Sequence, residues 1–191
     1  MQDLRTSSLE AAEDVFFGQL VIIVARWFLI AGATISMVWS VSDPGQLSLV
    51  MLPVVALIAM NFFLHGRYLM EQPANQTLIV SASVLDLILI TIMVCLGPGE
   101  KGFNSPFLAF YYPAILAFGF VVPHKLEAAY TAVAIGLYVS ACFLANPWFL
   151  GDASDLKALA SRVITLAATG GLANYYWRIQ RARRRAVSEL A

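Results

Sequence analysis

Charge is what this chain has least of. Asp, Glu, Lys and Arg make up 13% of its 191 residues, against 60% hydrophobic residues, and the mean hydropathy is +0.75. A water-soluble domain of this size needs a polar shell that such a composition does not supply. Chemistry-bearing residues are equally sparse. There are two histidines and two cysteines, with no His/Cys ligand spacing and no Gly-rich phosphate loop. His65 and His124 sit at expected helix ends, neither in a His-Glu phosphoacceptor context. These residues are expected to catalyse nothing on their own, to hold no metal and to bind no nucleic acid. A basic leader followed by a short apolar core is missing too, because the first fourteen residues are mostly polar and net acidic. No cleavable signal peptide is therefore expected. Ser7 to Glu10 instead reads as a capping box opening a helix that runs into the first apolar stretch. Cys95 and Cys142 both lie in apolar runs, where each is expected to pack as a small hydrophobe; a disulfide is open but nothing argues for it.

What the chain does have is length of apolar run. Segments long enough to cross a bilayer fall near Gln19–Val41, Gln46–His65, Gln76–Leu96, Pro106–Val122, Leu126–Ala145 and Leu156–Trp177. The fold expected is all-α: a polytopic bundle of six transmembrane helices with short connections, so that consecutive helices are antiparallel neighbours. Residues 1–18 form a cytoplasmic N-terminal helix, 19–177 the membrane domain and 178–191 an Arg-rich linker. Orientation follows from the basic residues. With both termini inside, the cytoplasmic side collects Arg5, Arg26, Arg67, Lys125, Arg178, Arg181, Arg183, Arg184 and Arg185, while the outside receives Lys101, Lys157 and Arg162. Both termini are thus expected in the cytoplasm, the chain being multi-pass in a bacterial inner membrane. Trp27, Tyr68, Tyr176 and Trp177 fit the inner interface, and Trp39 and Trp148 the outer one. Ser42–Gly45, Gly97–Gly102 and Asn146–Asp152 carry the helix breakers of external loops. The longest of these is about a dozen residues, too short for a folded external sensor domain. No long internal repeat is visible, so a transporter built on inverted repeats has no support.

A few polar residues stand inside the apolar runs. Asp86 lies ten residues from each end of the third. Unpaired, a carboxylate there costs roughly 2.5–3.5 kcal/mol on insertion scales, so it should face the bundle interior. Two roles are open: a carboxyl hydrogen-bonded to a neighbouring helix, or a proton or ligand site. Arg162, one to two turns below the outer end of the sixth run, can snorkel outward or reach down toward Asp86. Asn61 can bridge helices by hydrogen bonds. Arg26, with Trp27 beside it, is expected to anchor on anionic headgroups, as is the Arg178–Arg185 cluster. Gly32 and Ser36, and Ala167 and Gly171, form small-residue pairs that permit close helix approach, within the bundle or between protomers. The fourth run opens Pro106-Phe107-Leu108-Ala109-Phe110-Tyr111-Tyr112-Pro113. Pro113 is expected to kink it and free the carbonyl of Ala109. The surrounding aromatic surface is either ordinary packing or a site for a flat apolar ligand.

The sixth run does not end at a breaker. It continues without Gly or Pro after Gly171 through the Arg cluster, with Ile179, Ala182 or Arg183, Ala186 and Leu190 at three-to-four spacing. That pattern can begin a parallel coiled coil with a second copy, though the segment is short of three heptads. The end reads as a truncation point or the edge of a linker.

The run Val84-Leu85-Asp86-Leu87-Ile88-Leu89-Ile90-Thr91, then Gly102-Phe103-Asn104-Ser105-Pro106-Phe107, then an aromatic and aliphatic helix, resembles the six-span membrane domain of bacterial sensor histidine kinases of the redox-responsive RegB/PrrB type. Arg26-Trp27, Asn61 and the Arg-rich exit helix fit the same pattern. In that family a Gly-Gly-x-x-Asn-Pro-Phe loop is associated with quinone. Here the second Gly (Gly102), the Pro (Pro106) and the Phe (Phe107) are kept, with Lys101 in place of the first Gly and Ser105 in place of the Asn. The resemblance implies a sensory, homodimeric membrane module with a cytoplasmic output domain following it. It also implies quinone as a ligand, with Gly102, Ser105, Pro106 and Phe107 near it; Asp86, Tyr111 and Arg162 are candidate ligand-binding residues from the polar and aromatic pattern of the spans. Similar anchors precede nucleotide cyclases, so the output stays open. A small transporter coupled through Asp86, and an accessory subunit of a larger membrane complex, are the other two readings.

Overall fold

The computed structural model describes residues 2–41, 51–72, 74–98, 100–148 and 153–188, with side chains described between 18 and 179 in those ranges. Among the described residues every regular element is a helix: α1 (Gln2–Ser40), α2 (Leu52–Leu69), α3 (Gln76–Leu96), 3₁₀ turns at Gly102–Asn104 and Pro106–Phe110, α4 (Tyr111–Val121), α5 (His124–Ala145) and α6 (Ala153–Ser188). Four stretches are long and apolar enough to cross a membrane: Gly18–Ser40 of α1, α2, α3 and α5. Pro106–Val121 is apolar but shorter. Large hydrophobic side chains face outward as well as inward. Phe28, Ile35, Trp39, Phe62 and Ile164 are all exposed. An outside of that composition suits hydrocarbon rather than water.

Packing partners fix the direction of each helix. Gln19 and Ile23 of α1 meet Leu64 and Asn61 of α2, so these two run antiparallel. Gly18 and Gly32 of α1 abut Val121 and Phe110 at opposite ends of the fourth helical segment, again antiparallel. The α4–α5 contacts, Tyr111 with Tyr138 and Phe118 with Tyr130, are antiparallel as well. In contrast, α4 and α6 run parallel, since Tyr112 meets Thr165 and Gly119 meets Ala173. The helices thus alternate up and down. α4 is the central one, packed against α1, α5 and α6 and touching α3. The Gly18 end of α1 and the Ala173 end of α6 lie at the same face of the bundle. The main core cluster follows this arrangement, with Phe107, Tyr111, Ile115 and Phe118 at its centre among Met37, Leu57, Leu87, Ile90 and Tyr138.

Several helix ends differ from expectation. α1 already begins at Gln2, so Ser7–Glu10 lies inside the helix and does not open it. α2 continues past His65 to Leu69. It closes with Glu71 at φ 55°, its N–H bonded to the Tyr68 carbonyl while the Gln72 N–H bonds that of Arg67. That is the paired Schellman closure, here made without glycine. Gln46–Met51 lies mostly outside the described residues, as does the turn at Ser42–Gly45. Pro113 breaks no helix. It is the third residue of α4, in the first turn, where an N–H has no intrahelical partner anyway. The change of geometry falls just before it, where the 3₁₀ segment Pro106–Phe110 gives way to α-helix. Because 3₁₀ geometry rises about 2 Å per residue and α-helix about 1.5 Å, Pro106–Val121 spans about 26 Å, close to a hydrocarbon core.

Candidate functional site

The polar residues that the chain buries are few, and the largest concentration of charge is in the middle of α1 and α3. Arg26 and Asp86 are 3% and 5% exposed. Arg26 donates from Nε to Asp86 Oδ2 at 2.7 Å and from Nη2 to Asp86 Oδ1 at 2.7 Å. The same Nη2 also donates to the Ala82 carbonyl at 2.7 Å. Both side chains come from the middle of parallel helices, so the planar guanidinium meets the carboxylate edge-on, the bidentate geometry that arginine favours. The third nitrogen, Nη1, is buried with no hydrogen-bond partner among the described residues. Arg26 and Asp86 line a cavity of about 10 Å³ with Ser83, Pro113, Ala117 and Phe118, room for about one water. Tyr130 of α5 packs behind two of the lining residues, donating its hydroxyl to the Ser83 carbonyl at 3.0 Å while its ring stacks on Phe118 at 4.0 Å.

This placement corrects the expected role of Arg26. It reaches no headgroup; a buried carboxylate one helix away captures it. Trp27 beside it is half-buried, edge-on to Phe62 at 5.3 Å. Of the two roles open for Asp86, the interhelical bond is realised, with Arg26 and not Arg162. Arg162 instead donates to the Tyr138 hydroxyl at 3.1 Å, and Tyr138 packs on Tyr111 with centroids 6.0 Å apart. Tyr111 in turn shares a 2.7 Å hydrogen bond with Thr91 of α3. Arg178 is exposed, and the side chains of Arg181, Arg183, Arg184 and Arg185 lie outside the described residues.

The loop residues form a second group nearer the other end of the bundle, apart from the ion pair. Gly102 adopts φ +61°, and a Cβ there would sit 2.8 Å from that of Ala145, so the turn needs glycine twice over. Ser105 Oγ accepts from the Phe107 N–H at 3.4 Å, opening the 3₁₀ segment, and Pro106 is exposed in its first turn. Phe107 and Tyr111 are fully buried. Phe107 lies under Gly97, where a Cβ would meet its ring at 2.6 Å. Of the two cysteines, both free, Cys142 is buried and Cys95 half-buried. No family model, curated protein or solved structure matches this chain.

Two buried polar groups carry no mark in the sequence. Gln19, 1% exposed, donates Nε2 to the Leu64 carbonyl at 3.1 Å and accepts the Ala74 N–H at 2.8 Å, tying α1 to the end of α2 and to the α2–α3 connection. Glu127, 2% exposed, accepts the Thr131 hydroxyl at 3.0 Å. Its position in the first turn of α5 beside Lys125 reads as an ordinary interfacial acid. The signal that finds it is spatial: Gly119 and Gly170, far apart in sequence, both face its side chain. Asn61 does bridge α1 and α2, through Nδ2 to the Ile23 carbonyl at 3.4 Å. Arg26 with Asp86 can therefore do one thing well: hold α1 and α3 in a fixed relation through desolvated charge, with one donor left for an acceptor oxygen.

Proposed function

We propose that this chain is the membrane-embedded sensory and dimerising module of a bacterial signal-transduction protein, a sensor histidine kinase in the first instance. It spans the inner membrane six times with both termini in the cytoplasm. One observation carries the reading: α6 is a single helix from Ala153 to Ser188. At 1.5 Å per residue its 36 residues measure about 54 Å against a hydrocarbon core of about 30 Å. It therefore continues past the face where α1 also extends, with the Arg178–Arg185 cluster just beyond. A helix of that kind transmits a shift or rotation from the bundle to whatever follows it.

The alternation of the six helices supports six crossings, the 3₁₀ stretch of the fourth giving it nearly the reach of a full span. The buried ion pair supplies an element with two arrangements, paired and parted, whose balance a membrane signal can bias. Quinone, lipid or membrane state is the signal class, with Arg26 Nη1 as a buried donor open to an acceptor oxygen. A nucleotide cyclase as output is the alternative within the same reading.

The test uses the full-length protein in native membranes. Asp86→Asn, Arg26→Lys and changes across Ser105–Phe107 should alter the dependence of output phosphorylation on quinone redox state. If signal dependence in all of them equals that of the unmodified protein, the sensing role is wrong. Asp86-dependent solute flux in proteoliposomes would move the assignment to a transporter, and a stable partner retained through purification to an accessory subunit.

A further inference from the structure

The last turns of α6 inside the bundle are held by a device built around Glu127. Its side chain leaves the first turn of α5 and enters the junction of α4, α5 and α6. Two glycines make the slot. A Cβ on Gly170 of α6 would stand 2.9 Å from Glu127 Oε1 and 2.5 Å from Thr131 Oγ1. A Cβ on Gly119 of α4 would stand 3.0 Å from Glu127 Cγ and 2.5 Å from Ala173 Cβ. Backbone of two helices thus comes as close to this carboxyl as packing allows. The carboxyl accepts from Thr131 on its own helix, and the Asn174 side chain of α6 stands near enough to favour its charge. No lysine or arginine is ion-paired to it among the described residues, whereas the other buried acid has Arg26. Toward the exit, rings continue the contact: Phe120 with Tyr176 at 4.8 Å, and His124 with Trp177 at 5.9 Å.

We propose that Glu127 is the positioning residue for the exit of α6: seated between Gly119 and Gly170, bonded to Thr131 and facing Asn174, it sets where the turn from Ala173 to Trp177 leaves the bundle. The first turns of α5 also touch the ion pair's surroundings, since Tyr130, next to Thr131, holds the Ser83 carbonyl one turn before Asp86. One short stretch of α5 therefore contacts both the backbone beside the buried charges and the exit helix. This goes beyond the sensor reading only in naming the clamp; the role of α6 as the output helix rests on that reading, while the clamp itself does not.

The experiment is amide hydrogen exchange of the whole chain in lipid nanodiscs. Replacement of Glu127 by Leu removes the acceptor and keeps the bulk, and exchange over residues 170–179 should rise about tenfold, what the loss of one or two ordinary hydrogen bonds gives. Glu127→Gln, which still accepts from Thr131 and keeps an amide facing Asn174, should stay within about threefold of the parent. Gly170→Ala, which drives a methyl against the carboxyl, should match Glu127→Leu. Unchanged exchange in Glu127→Leu would overturn the proposal, as would a rise spread equally over α1–α3, which marks general destabilisation. Equal exchange in the Gln and Leu variants would overturn it too, because hydrogen bonding would then not be the agent. Where Glu127→Leu fails to fold, Asn174→Leu removes the partner from the other side and must loosen the same residues. Exchange that follows the expected pattern while output from the full-length protein ignores it would leave the clamp standing and sink the sensor reading.

Discussion

Arg26 and Asp86 allow the sharpest test, because the two ways of removing them should have opposite results. Replacing Asp86 alone by Leu leaves a guanidinium that is 3% exposed with only its bond to the Ala82 carbonyl. Both 2.7 Å charge-assisted bonds are lost, and Nη1 has no partner to compensate. Breaking a buried pair from one side costs about 3–5 kcal/mol, since the remaining charge stays desolvated. A loss of 3 kcal/mol lowers the folded-to-unfolded ratio by about two orders of magnitude. Arg26→Met should cost about the same from the other side, stranding the carboxylate in place of the cation. The double variant Arg26→Met/Asp86→Leu fills the same space with apolar groups and should recover to within about 1 kcal/mol of the parent. Unfolding in mixed micelles of the four proteins yields the coupling energy directly as a double-mutant cycle. Single variants within about 1 kcal/mol of the parent would show that the pair is hydrated in the membrane and not the desolvated bridge seen here. A double variant losing the sum of the two singles would show that the residues act separately, and would remove the ion pair as a two-state element.

The same unfolding assay covers three further sites. Gln19→Ala forfeits bonds at both ends of one amide and leaves the Ala74 N–H without its partner, so a loss of about 2–3 kcal/mol is expected, with early proteolysis in the α2–α3 connection. Gly102→Ala faces an unfavourable φ of +61° and a methyl overlap with Ala145; it should lose about 1–3 kcal/mol and show increased exchange at Phe103 and Asn104. Phe107→Ala opens a cavity beneath Gly97 and should cost about 3–5 kcal/mol, with Phe107→Leu costing about 1; a Phe107→Ala protein of unchanged stability but altered quinone response would assign the ring to a ligand instead of to packing.

How much of this was legible in the sequence depends on which property each residue reports. The apolar runs report their own burial cost, so the span Gln76–Leu96 coincides with α3 residue for residue, and the all-helical class follows. Gly97–Gly102 marks a turn because glycine and proline act locally. Asp86 was readable as a residue that must face inward, since its insertion cost is a property of that one side chain. Its partner was not readable. Arg26 beside a tryptophan has the same local pattern whether it anchors on headgroups or reaches another helix. The choice between them depends on the rotation of α1 relative to α3, and small differences in packing angle set that. Pro113 is legible only in part for a related reason: proline forbids an N–H bond wherever it stands, but where the change from 3₁₀ to α-helix falls, two residues earlier, depends on Ser105 and the segment upstream. Glu127 is the extreme case. It draws its meaning from Gly119 and Gly170, two glycines on different helices that have nothing in common until the bundle closes around the carboxyl. In a membrane bundle the sequence states the price of each buried polar group, and only the assembled helices show which neighbour meets it.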